Sequence, residues 1–333
     1  MKGLNNTANT SLQVAKNAKN DEFYTRLEDI NEEMSHYEDK FRGKVIFCNC
    51  DDPKWSNFWK YFHLNFEYLG LKKLIATHYE PDDVQSYKIE YTGGNDEELE
   101  DGVITPLTQN GDFRSAECLA ILDEADIIVT NPPFSLFREY IHVLVEHNKK
   151  FIVIGPKNAI TYKEIFSLIR DTKLWLGFGF KAGNACFIIP DGADVSRYAK
   201  GVYDAETNTV KFRNCTWFTN IDHAKRYETI NTTYSYAKKD KLYPDLYPKY
   251  TSYDVIEVSK LAEIPMDYDG VMGVPITFMD KFNPNQFEII GMGEDNGKGL
   301  SGKDAKWDGT TPQCIVNGKA KYKRIFIRRK TGK

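Results

Sequence analysis

The sequence lacks the features that mark several whole classes of protein. Its six cysteines, Cys48, Cys50, Cys118, Cys186, Cys215 and Cys314, form no CxxC pair, and several stand inside apolar runs such as VIFCNC and NACFII. That usage predicts reduced thiols rather than a disulfide framework. The histidines (His36, His63, His78, His142, His147 and His223) show no zinc-ligand spacing, so no metal is expected. No apolar run approaches the roughly 20 residues of a membrane helix. The N-terminal stretch MKGLNNTANTSLQVAKNAKN has no apolar h-region, which predicts a cytoplasmic protein without a secretory signal. Internal repeats and long low-complexity tracts are missing too.

What is present is an ordinary globular mixture. The 333 residues are 41% hydrophobic and 28% charged, enough for a core of normal size and about two domains. The net charge of −4 is unevenly spread. Glu80 to Asp101 holds nine acids and one lysine, whereas Lys303 to Lys333 holds ten Lys/Arg against two Asp. The basic C-terminal segment suits a polyanion, and equally a solvated face.

Residues 1–20 are polar and read as a flexible arm. From residue 44 strand and helix alternate. KVIFC (44–48) is followed by NCDDP and a helix striped by Trp55, Phe58, Trp59, Phe62 and Phe66, which that period places in a core. KKLIAT (72–77) closes a first strand–helix–strand unit, and the acidic stretch to about residue 104 reads as an exposed excursion. DIIVT (126–130), the turn NPPF, a helix striped by Leu136, Phe137, Tyr140, Ile141, Leu144 and Val145, and KFIVIG (150–155) make a second unit. Strands this apolar predict an α/β fold with a mostly parallel sheet covered on both faces. LWLGF (174–178), ACFII (185–189) and CTWFTNI (215–221) read as further strands, some antiparallel, closing its edge. Residues 225–253 carry seven tyrosines and six Lys/Arg, so a second region is expected from 223 to 333 after a domain of residues 21–222. Tyrosine interleaved with lysine suits a nucleic-acid surface, against the alternative of a solvated loop.

In open parallel sheets ligands bind beyond the carboxyl ends of the strands. Two loops lie there. In Asn49-Cys50-Asp51-Asp52-Pro53 the aspartates can contact a ligand or cap the next helix. In Asn131-Pro132-Pro133-Phe134 two prolines remove amide donors and leave carbonyls to point outward. The asparagine amide adds an acceptor and a donor pair, and Phe134 a flat apolar face. The set suits a planar amino group.

An Asn-Pro-Pro-Phe turn after a buried strand resembles the catalytic loop of amino-group methyltransferases. DEFYT (21–25), FCNCDDPKWSNFWKYF (47–62), GDFRSAE (111–117), VTNPPFSLFREY (129–140), ITYKEIF (160–166) and DYDGVMGVPITF (267–278) together resemble the EcoRI-type adenine-specific DNA methyltransferases, from about residue 18 to the end. The resemblance implies a Rossmann-like methyltransferase sheet with a smaller C-terminal target-recognition region, and S-adenosyl-L-methionine as cofactor. The partner it implies is double-stranded DNA, bound by a monomer, with a cognate restriction endonuclease encoded separately.

Carried over residue by residue, Asn131 and the Pro132 carbonyl would accept hydrogens of the target amine. Pro133 would stiffen the turn, and Phe134 would stack on the extruded base. Asp112 and Phe113 would hold the cofactor's adenine, and Phe23, Tyr24 and Thr25 its methionine end. Asp51 and Asp52 would occupy the cofactor loop. The basic charge of the C-terminal region, rather than the resemblance, places Lys238, Lys239, Lys241, Lys321, Lys323, Arg324, Arg328 and Arg329 against DNA, and the resemblance makes GAATTC the first duplex to test. Departing from the general methyltransferase pattern, no GxG follows KVIFC, and no acid stands directly after LIAT; Glu80 comes late. NPPF alone fits an RNA adenine or a protein glutamine amide as well, and a non-catalytic DNA-binding relative is the rival from another class.

Overall fold

The structure, a computed structural model, describes residues 24–50, 52–80, 85–189, 194–293 and 314–330. The expected arm of residues 1–20, and the site candidates Phe23 and Asp51, lie outside the described residues. The chain divides into two compact units, Met1–Ile165 with Leu174–Ile221, and Phe166–Lys173 with Asp222–Lys333.

In the larger unit four short runs are buried along almost their whole length: β2 (Val45–Cys48), β3 (Lys73–Thr77), β6 (Ile127–Thr130) and β7 (Lys150–Pro156). β1 (Tyr24–Thr25) precedes them in the chain. Runs without alternation require cover on both faces, and the four pair in parallel in the order β3-β2-β6-β7. Antiparallel strands extend this centre. β4 (Tyr87–Tyr91) and β5 (Val103–Pro106) lie beyond β3, while β12 (Cys215–Thr219) and β8 (Trp175–Leu176) lie beyond β7. The result is an eight-stranded mixed sheet. From β2 the chain runs first to β3 on one side, and only later to β6 on the other. The strand order therefore reverses between β2 and β6, where open sheets leave a crevice at their carboxyl ends.

Two helices show how the sequence builds the cover. Ser56 caps the helix Asn57–Leu64, its hydroxyl accepting the Phe58 and Trp59 amides at 3.2 and 3.4 Å. That helix buries Phe58, Trp59, Tyr61 and Phe62 against the sheet, and Phe66 follows in a separate turn that ends at Gly70, φ +63°. Burial of each such ring contributes about 1.5–3 kcal/mol. The helix Phe137–Glu146 buries Phe137, Tyr140, Ile141 and Leu144.

Three expectations are corrected. Trp55 precedes the helix in a turn and is 69% exposed, so it is not part of the buried stripe. Residues 85–106 are not simply an excursion: Ile89 and Tyr91 are buried because β4 pairs with β3. ACFII does not join the main sheet. Its strand β9 (Ala185–Ile188) lies in a separate antiparallel sheet, ordered β1-β9-β11-β10, with β10 (Tyr203–Asp204) and β11 (Thr209–Phe212).

The smaller unit is built on β13 (Ile256–Glu257), β14 (Met272–Pro275), β18 (Arg324–Arg329) and β15 (Phe287–Met292), in that order. A hairpin of β16 (Ile315–Val316) and β17 (Lys319–Ala320) turns on Asn317-Gly318, both at positive φ as a two-residue turn demands. Three tyrosines of the 225–253 stretch are core rather than surface: Tyr247, Tyr250 and Tyr253 are at most 6% exposed. The Tyr247 and Tyr250 hydroxyls find buried partners in the Glu263 carbonyl and the Glu257 carboxylate, which lets whole rings enter an apolar interior. No helix among the described residues is long and apolar enough to cross a membrane.

Candidate active site

The site begins at the crevice between β2 and β6. The Asn49 carbonyl accepts the Thr130 hydroxyl, and its side-chain oxygen accepts the Tyr140 hydroxyl. All three are buried, so the loop after β2 is fastened to the strand and helix that flank the Asn131 turn. Without a glycine, that loop reverses through Cys50 in the left-handed region, at φ +70°. A side chain there is uncommon and costs about 1–3 kcal/mol, which the surrounding hydrogen bonds must offset.

In the second loop Asn131 and Phe134 are 6% and 4% exposed, Pro132 is buried and Pro133 half-buried. The Pro133 carbonyl, not that of Pro132, accepts the Leu136 amide at 3.0 Å and starts the following helix. Phe134 meets Phe187 edge to face, with centroids 6.3 Å apart. Its ring is thus supported from β9, the strand that the second sheet supplies.

Of the cofactor candidates, Asp52 and the loop of Asp112 and Phe113 lie by the ends of β2 and β3, whereas Tyr24 and Thr25 stand in β1 of the second sheet. The Asp52 carboxylate accepts the Lys54 amide and the Tyr87 hydroxyl, each at 3.0 Å. Since Ser56 caps the helix, Asp52 is released from that role. Asp112 is gripped by Arg114, whose Nε and Nη2 donate at 2.9 and 2.6 Å, with the Arg114 amide at 2.8 Å. This fork outweighs the opposing effect of burial and holds the Asp112 carboxyl below the usual carboxylate range. Phe113 is buried, with Tyr140 against it edge-on at 5.0 Å and the Arg114 guanidinium 5.1 Å from its centroid. Thr25 is buried in β1, and its carbonyl accepts the Asn57 amide at 2.8 Å; Tyr24 is half-buried.

The expected DNA-facing residues lie in the smaller unit and separate into two kinds. Lys238 and Lys241 are exposed, and Lys239 pairs with Asp240 at 2.6 Å. Lys323 is half-buried, and Lys321 lies 3.9 Å from Glu257. Arg328 pairs with Glu288 at 3.2 Å. Arg324 faces inward. Its Nε and Nη2 donate to the Glu257 carboxylate at 3.0 and 2.8 Å, with side chains 12% and 2% exposed. Arg329 donates to the Thr232 hydroxyl and the Pro265 carbonyl at 2.9 and 3.1 Å. Burial lowers its pKa below the ordinary arginine value.

Sequence reasoning missed Asn49, Tyr140, Arg114, His78 and Tyr87. Asn49 and His78, each the first residue past an apolar parallel strand, carried a positional signal. Among the described residues no group of His, Cys, Asp and Glu could hold a metal ion, and no disulfide joins the six cysteines.

Comparison with known proteins gives a consistent result. The family described as adenine-specific methyltransferase EcoRI matches residues 11–330. The chain is 42% identical to the type II methyltransferase M.EcoRI of Escherichia coli over 98% of each chain. It is 41% identical to the type II methyltransferase M.MpnI of Mycoplasma pneumoniae over 83% of each. With M.MgeORF184P of Mycoplasma genitalium it shares 36% over 95% of this chain and 97% of the relative. No solved structure gives a significant match.

Proposed function

Because the chain belongs to the family of EcoRI-type adenine-specific methyltransferases, we propose that the crevice between β2 and β6 methylates the exocyclic amine of adenine in a short DNA duplex, within a restriction–modification system. In this reading the larger unit is a Rossmann-like catalytic domain and the smaller unit the target-recognition region. One observation carries the chemistry. Asn131 stands at the carboxyl end of β6, beside the strand whose own loop is fastened to Thr130 and Tyr140.

The donor set fits S-adenosyl-L-methionine. Asp52 and Asp112 are carboxylate acceptors for hydroxyls or an adenine amine, and Phe113 gives a flat apolar wall held by Tyr140. Tyr24 and Thr25 stand at the edge of the second sheet for the methionine end. When bound, the cofactor supplies an electrophilic methyl group on a sulfonium.

The chain's own work is positioning. An adenine amine is a weak nucleophile, because its lone pair is drawn into the ring. The Asn131 side-chain oxygen and the Pro132 carbonyl accept its two hydrogens, favour a tetrahedral nitrogen and aim the lone pair. Fixed acceptors of this kind act through orientation and electrostatics, and the nitrogen's surplus proton would pass to water, so no general base is required. The target nucleotide has to leave the duplex, at a cost of a few kcal/mol. Phe134, braced by Phe187, offers the face on which the base stacks, returning about 1–3 kcal/mol. Lys238 and Lys241 provide exposed cations for phosphates.

The test is methylation of plasmid DNA by the purified protein, read base by base, with an RNA copy and a glutamine peptide alongside. N6-methyladenine at one duplex sequence supports the reading, and modification of RNA or peptide alone overturns it.

A further inference from the structure

Three loops converge on the residue just beyond β3, and the site described above gives that residue no role. His78 Nε2 lies 3.6 Å from Asp52 Oδ2, which comes from the β2 loop, and 3.8 Å from Glu80 Oε2 on its own loop. The ring stacks on Tyr87 of β4, with centroids 5.1 Å apart and planes at 29°, and the Tyr87 hydroxyl donates to the other oxygen of Asp52. His78 Nδ1 is buried and meets no hydrogen-bond partner among the described residues, so the polar contacts of the ring are all at Nε2.

The backbone is fixed as firmly. The His78 carbonyl accepts the Ser86 hydroxyl, and a Cβ on Gly111 would lie 2.1 Å from that same carbonyl oxygen, so only glycine lets the third loop approach. Asn110 accepts the Glu80 amide at 3.0 Å through its carbonyl, and the Asp112 amide at 3.2 Å through its side chain. His78 therefore stands where the loops of Asp52, Glu80 and Asp112 meet.

Open parallel sheets commonly place an acid near the end of the second strand to accept the hydroxyls of a bound ribose. Here a histidine occupies that end, and the acids reach it from either side. We propose that His78 is a positioning residue, its Nε2 edge holding Asp52 and Glu80 together as paired acceptors for the ribose hydroxyls of the nucleoside cofactor. This rests on the function proposed above. Two carboxylates brought together without it repel and turn toward solvent, and each then meets the diol in the wrong orientation. Tyr87 stacks on the ring's face and also binds the Asp52 carboxylate that lies at its Nε2 edge, so ring and carboxylate are held in one arrangement.

Calorimetric titration of S-adenosyl-L-methionine into wild type, His78→Ala, His78→Gln and Asp52→Asn tests this, together with steady-state kinetics and melting of the unliganded proteins. His78→Ala should weaken cofactor binding and raise cofactor KM about tenfold, with kcat, DNA affinity and melting temperature near wild type. His78→Gln, which keeps an N–H donor, should restore most of the affinity. In Asp52→Asn a second change at His78 should cost less than it does alone. Unchanged cofactor affinity in a folded His78→Ala protein, equal losses in kcat and KM, or additive effects of the two sites would each overturn the proposal. Wild type that neither binds the cofactor nor methylates adenine would instead defeat the function itself.

Discussion

Arg324 separates a structural charge from a DNA-binding one. Its guanidinium donates twice to Glu257, which also accepts the Tyr250 hydroxyl and, at 3.1 Å, that of Ser259. Arg324→Met would leave that carboxylate in the interior with two neutral donors and only the Lys321 ammonium, 3.9 Å away, as a cation. Removing one member of a buried pair costs about 3–5 kcal/mol, which at about 2–4 °C per kcal/mol lowers Tm by on the order of 10 °C. Glu257→Gln with Arg324→Met removes both charges while an amide oxygen still accepts the two hydroxyls. The double variant should recover at least half of the loss. Burial pushes the Glu257 carboxyl up, but the Arg324 fork and the Tyr250 hydroxyl prevail and hold it below its ordinary value of 4.5. The pair thus stabilises fully above the unfolded carboxylate range, and that contribution disappears as pH falls through the lower folded value. Melting from pH 7 to pH 3 should fall more steeply for wild type than for the double variant. A phosphate contact would also reduce the log–log salt slope of DNA affinity by about 0.9 when lost, and none is expected here. Wild-type Tm with a flattened slope in Arg324→Met would refute the reasoning.

Other outcomes follow from the same geometry. Asn131→Ala should lower kcat at least about 100-fold while cofactor and DNA affinities stay near wild type, measured by single-turnover kinetics and titration. Phe134→Trp should retain more turnover than Phe134→Ala, although the 4% exposure of Phe134 and its contact with Phe187 require the larger ring to repack. Asp112→Ala should weaken cofactor binding by calorimetry. Since Arg114 depresses the Asp112 carboxyl, wild-type affinity should lose nothing through this group until pH falls below the ordinary aspartate range near about 3.9. Lys238→Gln with Lys241→Gln should weaken binding to every duplex alike and reduce the salt slope by up to about 1.8, two phosphates' worth.

The parallel centre was legible because its strands are apolar on both faces: VIFC, IIVT and IVIG admit no reading as half-exposed strands. The helix after β6 was legible from its period, and the position of NPPF followed from both. What could not be read was pairing at a distance. ACFII and CTWFT are equally apolar, yet one pairs with β1 and β11 and the other with β7, which local sequence does not encode. Trp55 fits the helical period, but Ser56 caps the helix one residue later and leaves it outside. Tyr250 and Arg324 looked like surface residues by type. Glu257, distant from Arg324 in sequence, binds both, and Phe326 packs against the Tyr250 ring.

The missing GxG illustrates why a motif and the geometry it serves are separable. Glycine is used after the first strand of such sheets to turn tightly and to let backbone approach a ligand. Here the turn is made by Cys50 at φ +70°, and the tightness is enforced from outside the loop by Thr130 and Tyr140 bonding to Asn49. Thr130 immediately precedes Asn131, and Tyr140 lies on the helix that follows the NPPF turn. The restraint that replaces glycine is therefore drawn from the neighbourhood of the catalytic loop, so the β2 loop and the Asn131 turn are set by one group of hydrogen bonds. Glycine itself reappears at Gly111, where the backbone of a third loop presses on the His78 carbonyl. The close approach that the motif usually supplies beside β2 has moved to the end of β3, where the loops that carry Asp52, Glu80 and Asp112 meet.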